Sequence, residues 1–478
     1  MTNNLTMLTD LYQLTMMNGY YKKGLHNNTA VFDIFFRKNV CDGGYTIICG
    51  IEEVVKYIEN LHYEDSDLEY LRSLNLFDED FLSFLKDFKF TGDIYAVEDG
   101  TVMFPGEPVL VVKAPLYQAQ LIETAMLSIV NFMSLIATKS SRVCNAAQGD
   151  PVLEFGLRRA QGPEAGLYGA KAAIIGGCKG TSNVLAGKLF NVPVSGTHAH
   201  SWVQKFDTEL EAFRAYADIY PDSCLLLIDT YDVLNSGIKN AITVFNELRA
   251  KGYEPLGVRL DSGDLTYLSR EVRSILDEAG FENVKITASN DLDEYTITSL
   301  KQEGAKIDSW GVGTKLITSY DYPSLGGVYK LAAATNSEGL LVPKIKISEN
   351  PEKINNPGFK KVVRIYNENG KAEADLIMLA DEKIDESKTL EIFDPVYTWK
   401  TKQFEKFSLR EVLSPLFKDG KCVREGKTIQ EVTEYTQREL DSLWNQHKRI
   451  KNPHIYKVDL SEGLWKMKQE MIASKKIK

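Results

Sequence analysis

Residues 255–280 read "PLGVRLDSGDLTYLSREVRSILDEAG", and the fold is decided by how this stretch is parsed. An apolar run of strand length, "LGVRL", stops at a polar turn, "DSGD". Beyond the turn Leu265, Leu268, Val272, Ile275 and Leu276 recur at helical spacing until Gly280, a natural residue for the position just past a helix end. A strand, a short polar turn and a helix form the unit from which parallel sheets are built.

The same alternation runs through "VLEFGLRR", "VPVSGTHAH", "CLLLIDTYD", "VKITASND", "SWGVGTKL" and "GVYKLAAA", so that seven strand candidates fall between residues 150 and 335. Most carry a polar cluster directly after the apolar run, which predicts an α/β fold of the (β/α) barrel type rather than an open sheet. Such a barrel places its chemistry on the loops at the C-terminal strand ends. The residues expected there are His198 and His200, Asp229 and Asp232, Arg259 with Asp261 and Asp264, Asn290 with Asp291, and Gly311, Gly313 and Thr314.

The flanks read differently. The first 140 residues combine strand-like "TAVFDIFF", a hairpin "GDIYAVEDGTVMFPGEPVLVVKAP" and an amphipathic helix over 116–138, an α+β domain. The barrel is expected over 141–343. A crossing rich in Pro, Asn and Lys, "KIKISENPEKINNPGFKK", then leads to a C-terminal extension over 344–478, with a second hairpin around "NENG" and charged helices.

Composition narrows the function. A chain of 478 residues with 44% hydrophobic and 26% charged residues can bury a large core. Its net charge of −10 argues against a broad nucleic-acid or anionic-membrane footprint, which needs a basic face. No apolar run reaches membrane-spanning length, and the polar start "MTNNLTMLTD" lacks the blocks of a signal peptide, so a cytoplasmic protein is expected. The basic end "SKKIK" reads as a solvated tail. The six cysteines show no C-x-x-C pair and read as buried thiols.

Arg259, between Val258 and Leu260, points a guanidinium at the barrel interior or its mouth, and a charge there calls for an anionic partner, a carboxylate or phosphate ligand or an internal salt bridge. Asp261 and Ser262 each read as a helix cap or as a site residue. "SWGVGTKL" offers Gly311, Gly313 and Thr314 as a turn whose backbone a phosphate can approach, and "GCKGTSN" is a second cluster of the same character. "FGLRRAQGP" adds Phe155, Arg158 and Arg159. Asp229 and Asp232 could hold ribose hydroxyls or magnesium, or cap a helix. In "GTHAHSW", Thr197 and Ser201 flank two histidines at i and i+2, whose rings face one way in an extended strand, so alternation cannot choose between them. Zinc would need a third ligand, and the remaining histidines lie outside the barrel run; no direct protein metal site is expected.

Taken together, "LTDLYQLTM", "EFGLRRAQGP", "GTHAHS", "GVRLDSGD", "VGTKL" with "SLGGVYKL", and "NPEKINNPGFKKV" resemble the motifs of the nicotinate phosphoribosyltransferases, in that family's order and over nearly the whole chain. The resemblance implies an irregular (β/α) barrel of the type II phosphoribosyltransferase kind, with an N-terminal α+β domain and a C-terminal extension, acting as a homodimer with sites near the subunit boundary. It implies a cytoplasmic enzyme of NAD salvage that joins nicotinate to phosphoribosyl pyrophosphate, releasing pyrophosphate, with Mg2+ on the pyrophosphate and ATP as co-substrate. His200 matches the histidine that ATP phosphorylates, and His198 the variable position. Tyr12 and Phe155 would stack on the pyridine ring, Thr197 and Arg259 would meet the carboxylate, and Thr314 a donor phosphate. Arg158, Asp229, Asp261, Gly311 and Gly313 match site loops, and the related nicotinamide enzyme uses its counterpart of Arg259 around the phosphoribosyl group. The alternatives are a nicotinamide or quinolinate phosphoribosyltransferase, or a Schiff-base barrel aldolase using Lys315 or Lys330.

Overall fold

A computed structural model describes residues 4–350 and 353–474. The basic terminal residues 475–478, and two residues of the "NPEKINNPGFKK" crossing, lie outside the described ones. The chain divides into two compact units, one formed by Ile136–Pro323 and the other by the segments before and after it.

The central unit holds a six-stranded parallel sheet. Its strands are Val152–Glu154, Gly180–Thr181, Leu225–Leu227, Gly257–Leu260, Lys285–Ala288 and Ser309–Val312. Neighbours in the sheet follow chain order, and the last strand pairs with the first through Trp310 and Val152. First-to-last pairing is the connection a barrel makes, yet the hydrogen-bonded ladder is not closed. Beyond Gly180–Thr181 the run "VPVS" contributes one bridge, Thr181 to Val194, and no ladder joins it to Leu225–Leu227. Pro193 lacks an amide hydrogen to donate, which suits this run to an edge.

The opening stretch folds as read. Gly257–Leu260 is a strand, Leu265–Glu278 a helix, and Gly280 takes a left-handed φ of 75° just past its end. The helix is capped by Asp264, whose side chain accepts from the Tyr267 amide at 3.0 Å. This corrects the reading of Asp261 or Ser262 as the cap, and it leaves both free for other work. Likewise Asp232, not Asp229, caps its helix, accepting from the Leu234 and Asn235 amides.

The run "GVYKLAAA" is not a strand of the parallel sheet. Val328–Thr335 lies antiparallel to Thr29–Phe35 in a seven-stranded sheet of the other unit, so the expected boundary at 343 is displaced to Pro323. That sheet also contains Leu110–Pro115 and Asp93–Ala96, the two arms of the expected hairpin, and Ser414–Lys418 from the C-terminal region. The C-terminal segment therefore completes a sheet begun by the N-terminal one. The "NENG" hairpin joins Lys360–Tyr366 to Ala372–Leu379, and the helix expected over 116–138 is split into Leu116–Leu121 and Glu123–Ala147. No helix among the described residues is long and apolar enough to cross a membrane.

Candidate active site

The C-terminal ends of the parallel strands bring together residues scattered over more than 150 positions of sequence. At the centre lies Arg259, mostly buried near the end of its strand. Its Nε donates to Ser289 Oγ at 2.8 Å, one terminal nitrogen to Thr197 Oγ1 at 3.2 Å, and the other to Asp261 Oδ1 at 2.9 Å. Ser289 Oγ in turn donates to the same Asp261 oxygen. Guanidinium, hydroxyl and carboxylate thus close a ring of hydrogen bonds that fixes the plane of each group. The guanidinium also stands 5.7 Å from the centre of the Phe155 ring, within cation–π range.

Burial would raise the Asp261 carboxyl, but the Ser289 hydrogen bond and the Arg259 charge outweigh it and hold the group below the usual carboxylate range, helped by His200. Asp261 is therefore an anion at neutral pH. Its second oxygen, Oδ2, faces His200 Nε2 at 3.8 Å. On the other side of that imidazole, Nδ1 is 3.2 Å from Thr230 Oγ1 and 3.9 Å from Asp229 Oδ1.

Asp229 is almost fully enclosed. Its Oδ2 accepts from the Asp261 amide at 3.0 Å and from Ser262 Oγ at 2.6 Å, while Oδ1 is buried without a hydrogen-bond partner. At 3.9 Å that oxygen is beyond hydrogen-bond reach of His200 Nδ1, whose partner is Thr230 Oγ1, so the imidazole lies between two carboxylates, one toward each ring nitrogen, in a ring still 40% exposed.

His198 does different work. Residues 196–199 are irregular and His200 opens the short helix His200–Gln204, so the two imidazoles do not share a strand face as expected. His198 is buried against Tyr216, with ring centres 4.7 Å apart. Its Nε2 accepts the Leu227 amide at 3.2 Å, and its Nδ1 faces the Ala199 carbonyl at 3.5 Å. Burial lowers its pKa to about 4, so the ring is neutral. Leu227 belongs to the strand at the open edge of the ladder. His198 therefore spans the gap between that edge and the segment carrying His200.

The other expected residues divide. Phe155 packs over Gly311: a Cβ there would meet the ring at 2.6 Å. Gly313 precedes the helical turn Thr314–Ile317, with Thr314 half-buried at its start. Arg158 and Ser201 are exposed beside Phe155 and His200 in sequence. Tyr12 belongs to the other unit, half-exposed in the helix Leu11–Lys22. In "GCKGTSN", Asn183 caps a helix and Thr181 donates to the buried Glu154 at 2.6 Å, a structural use. Lys315 is held by Asp293 at 2.7 Å, and this hydrogen bond raises its pKa, the opposite of what an imine-forming amine needs. Lys330 lies in the antiparallel sheet of the other unit.

Sequence reading passed over Ser289, Thr230 and Glu154. Ser289 occupies the first position past an apolar run, the same place as Asp261 and Asp229, and Thr230 the second, and that register was the available signal.

Models of the nicotinate phosphoribosyltransferase family match the chain in three parts: the N-terminal domain over residues 7–131, the family's main region over 151–370 and the C-terminal domain over 359–468. The chain belongs to the nicotinate phosphoribosyltransferase family. It is 47% identical over 471 residues to the nicotinate phosphoribosyltransferase of Bacillus subtilis, covering 98% of this chain and 96% of that protein. It is 33% identical to the human enzyme of that name, covering 96% and 95% of the two chains. The crystal structure of human nicotinic acid phosphoribosyltransferase superposes with a TM-score of 0.85 at 30% identity, covering 97% of this chain and all of that one. A nicotinate-nucleotide pyrophosphorylase from Pyrococcus furiosus shares the fold, with a TM-score of 0.70 at 23% identity over 92% and 96% of the chains.

Proposed function

We propose that the chain catalyses transfer of the phosphoribosyl group to nicotinate, with release of pyrophosphate, coupled to ATP hydrolysis through a phosphohistidine at His200, as a homodimer of the cytoplasm. The observation that carries the reading is the His200 imidazole set between Asp229 and Asp261, one step from the Arg259 ring of hydrogen bonds. Only one of the two histidines has a ring nitrogen free of structural duty and reachable from solvent.

In the phosphorylation step the Nε2 lone pair attacks the γ-phosphorus of ATP and the bond to the β-phosphate oxygen breaks, releasing ADP. The ring becomes cationic with its proton retained on Nδ1, and the buried Asp229 Oδ1 balances that charge. In the transfer step pyrophosphate leaves C1 of the ribose as the pyridine nitrogen closes in, so the site must hold an anion and keep the ring in line. Arg259 with Thr197 suits an anionic group of either substrate, and the Phe155 face beside Gly311 suits a planar ring. Gly313 and Thr314, opening a turn at the adjacent strand end, suit a phosphate. Magnesium enters as the counter-ion of ATP and of the pyrophosphate. The parallel sheet is then the family's barrel, its seam spanned by the His198 side chain rather than by a ladder.

Incubation with Mg-ATP should leave an acid-labile phosphate on the peptide carrying "GTHAHSW", and nicotinate mononucleotide formation should rise with ATP. Product without phosphoprotein and without an ATP effect would leave a transferase but remove the phosphohistidine. Product from nicotinamide or quinolinate in preference to nicotinate would move the assignment to those relatives.

A further inference from the structure

Arg259 is already occupied. The Asp261 carboxylate sits on one of its terminal nitrogens at 2.9 Å, held there by the hydroxyl of Ser289, so a substrate carboxylate or phosphate would meet a guanidinium that already carries an anion. The same carboxylate presents its other oxygen to His200 Nε2 at 3.8 Å. One anion therefore touches both the substrate-binding cation and the nitrogen that receives the phosphoryl group.

We infer that Asp261 is an internal competitor for Arg259, and that phosphorylation of His200 displaces it, turning ATP hydrolysis into tighter binding of the anionic substrate. This rests on the phosphohistidine reading above and supplies its coupling element. A phosphoryl group on Nε2 sets oxygens carrying close to two negative charges where the Asp261 oxygen already stands, with the compensating positive charge of the ring turned to Asp229, and like charges so close repel strongly in a partly enclosed site. Asp261 has somewhere to go, since its side chain is 30% exposed, whereas Asp229 is enclosed and hydrogen-bonded from the Asp261 amide and Ser262. Arg259, mostly buried, cannot follow it into solvent and is left needing an anion. Nicotinate or the sugar donor provides one. After turnover, water attacks the phosphorus, the Nε2–P bond breaks and inorganic phosphate leaves, which lets Asp261 return and expel the product's anionic group.

Asp261→Asn tests this without ATP. The amide keeps the size of the side chain and an oxygen for Ser289 and Arg259, but it removes the competing charge. Equilibrium binding of nicotinate and, separately, of phosphoribosyl pyrophosphate to the unphosphorylated protein should tighten about tenfold for at least one of the two, within the usual span of coupling between sites. Mg-ATP should then improve binding in the parent protein and add little in the variant. If Asp261→Asn binds both anions no better than the parent protein, the competitor role is overturned. If instead the parent protein takes no phosphate on His200, the phosphohistidine reading fails, and the ATP-free comparison still decides whether Asp261 competes for Arg259.

Discussion

Two histidines two residues apart have come to opposite ends of imidazole chemistry, and the cause is what each ring nitrogen meets. His198 gives Nε2 to a backbone amide and its faces to Phe213 and Tyr216. His200 presents Nε2 to the Asp261 carboxylate at 3.8 Å, in a ring that is 40% exposed. His200→Asn should therefore abolish ATP-dependent phosphate incorporation, whereas His198→Asn should retain it; incorporation of label into each variant measures this, and loss in His198→Asn alone would reverse the assignment. His198 also makes stability depend on pH. Its folded pKa, about 4, lies below the ordinary histidine value, so the folded state binds fewer protons and stability rises with pH. The contribution is complete above about pH 6.5 and is lost as pH falls toward 4, with about 3 kcal/mol at stake. Urea unfolding at pH 7 and pH 5 should show this loss in the parent protein and a smaller one in His198→Asn.

At the scale of elements, the site depends on glycine where a strand end meets an aromatic ring. Gly311 closes the strand Ser309–Val312 against Phe155, and a methyl group there would overlap the ring. Gly311→Ala should push Phe155 off the strand end and raise the KM for nicotinate by about tenfold or more, with phosphorylation of His200 little changed. Steady-state kinetics together with phosphate incorporation separate the two effects. The cap of the helix Leu265–Glu278 is a contrasting case. Asp264→Ala removes the acceptor for the Tyr267 amide and should cost about 1 kcal/mol of stability, seen as a lower Tm. Asp261 and Asp264 are three residues apart in one motif, yet one joins the Arg259 ring of hydrogen bonds and the other caps the helix.

Across the whole molecule, the unit built from the two ends of the chain is tied together by a buried charge cluster. Arg364 binds Asp375 at 2.7 Å and Glu439 at 2.9 Å, and donates to the Val102 carbonyl at 2.7 Å, with no solvent exposure of its side chain. Arg364→Met would leave the enclosed Asp375 without its cation and Glu439 with Arg410 alone, so a loss of about 3–5 kcal/mol is expected in denaturant unfolding. The same contacts explain why the C-terminal region could not be separated from the N-terminal one: residues some 260 positions apart share one cluster.

By itself the sequence determined the parallel strand–helix units, through periodicity that changes from apolar runs to helical spacing at polar turns. It also determined the family, and it placed most of the candidate residues at strand ends, because strand ends expose whatever follows the apolar run. It could not show that Val328–Thr335 leaves the parallel sheet, since an apolar run carries no record of the strand it will pair with. Nor could strand alternation separate His198 from His200, which only the resemblance told apart, or assign the helix cap among Asp261, Ser262 and Asp264, because those outcomes depend on backbone direction after the strand ends. Tertiary structure decided them, by bringing Leu227, Thr230 and Ser289 to the rings and carboxylates that local spacing had left equivalent.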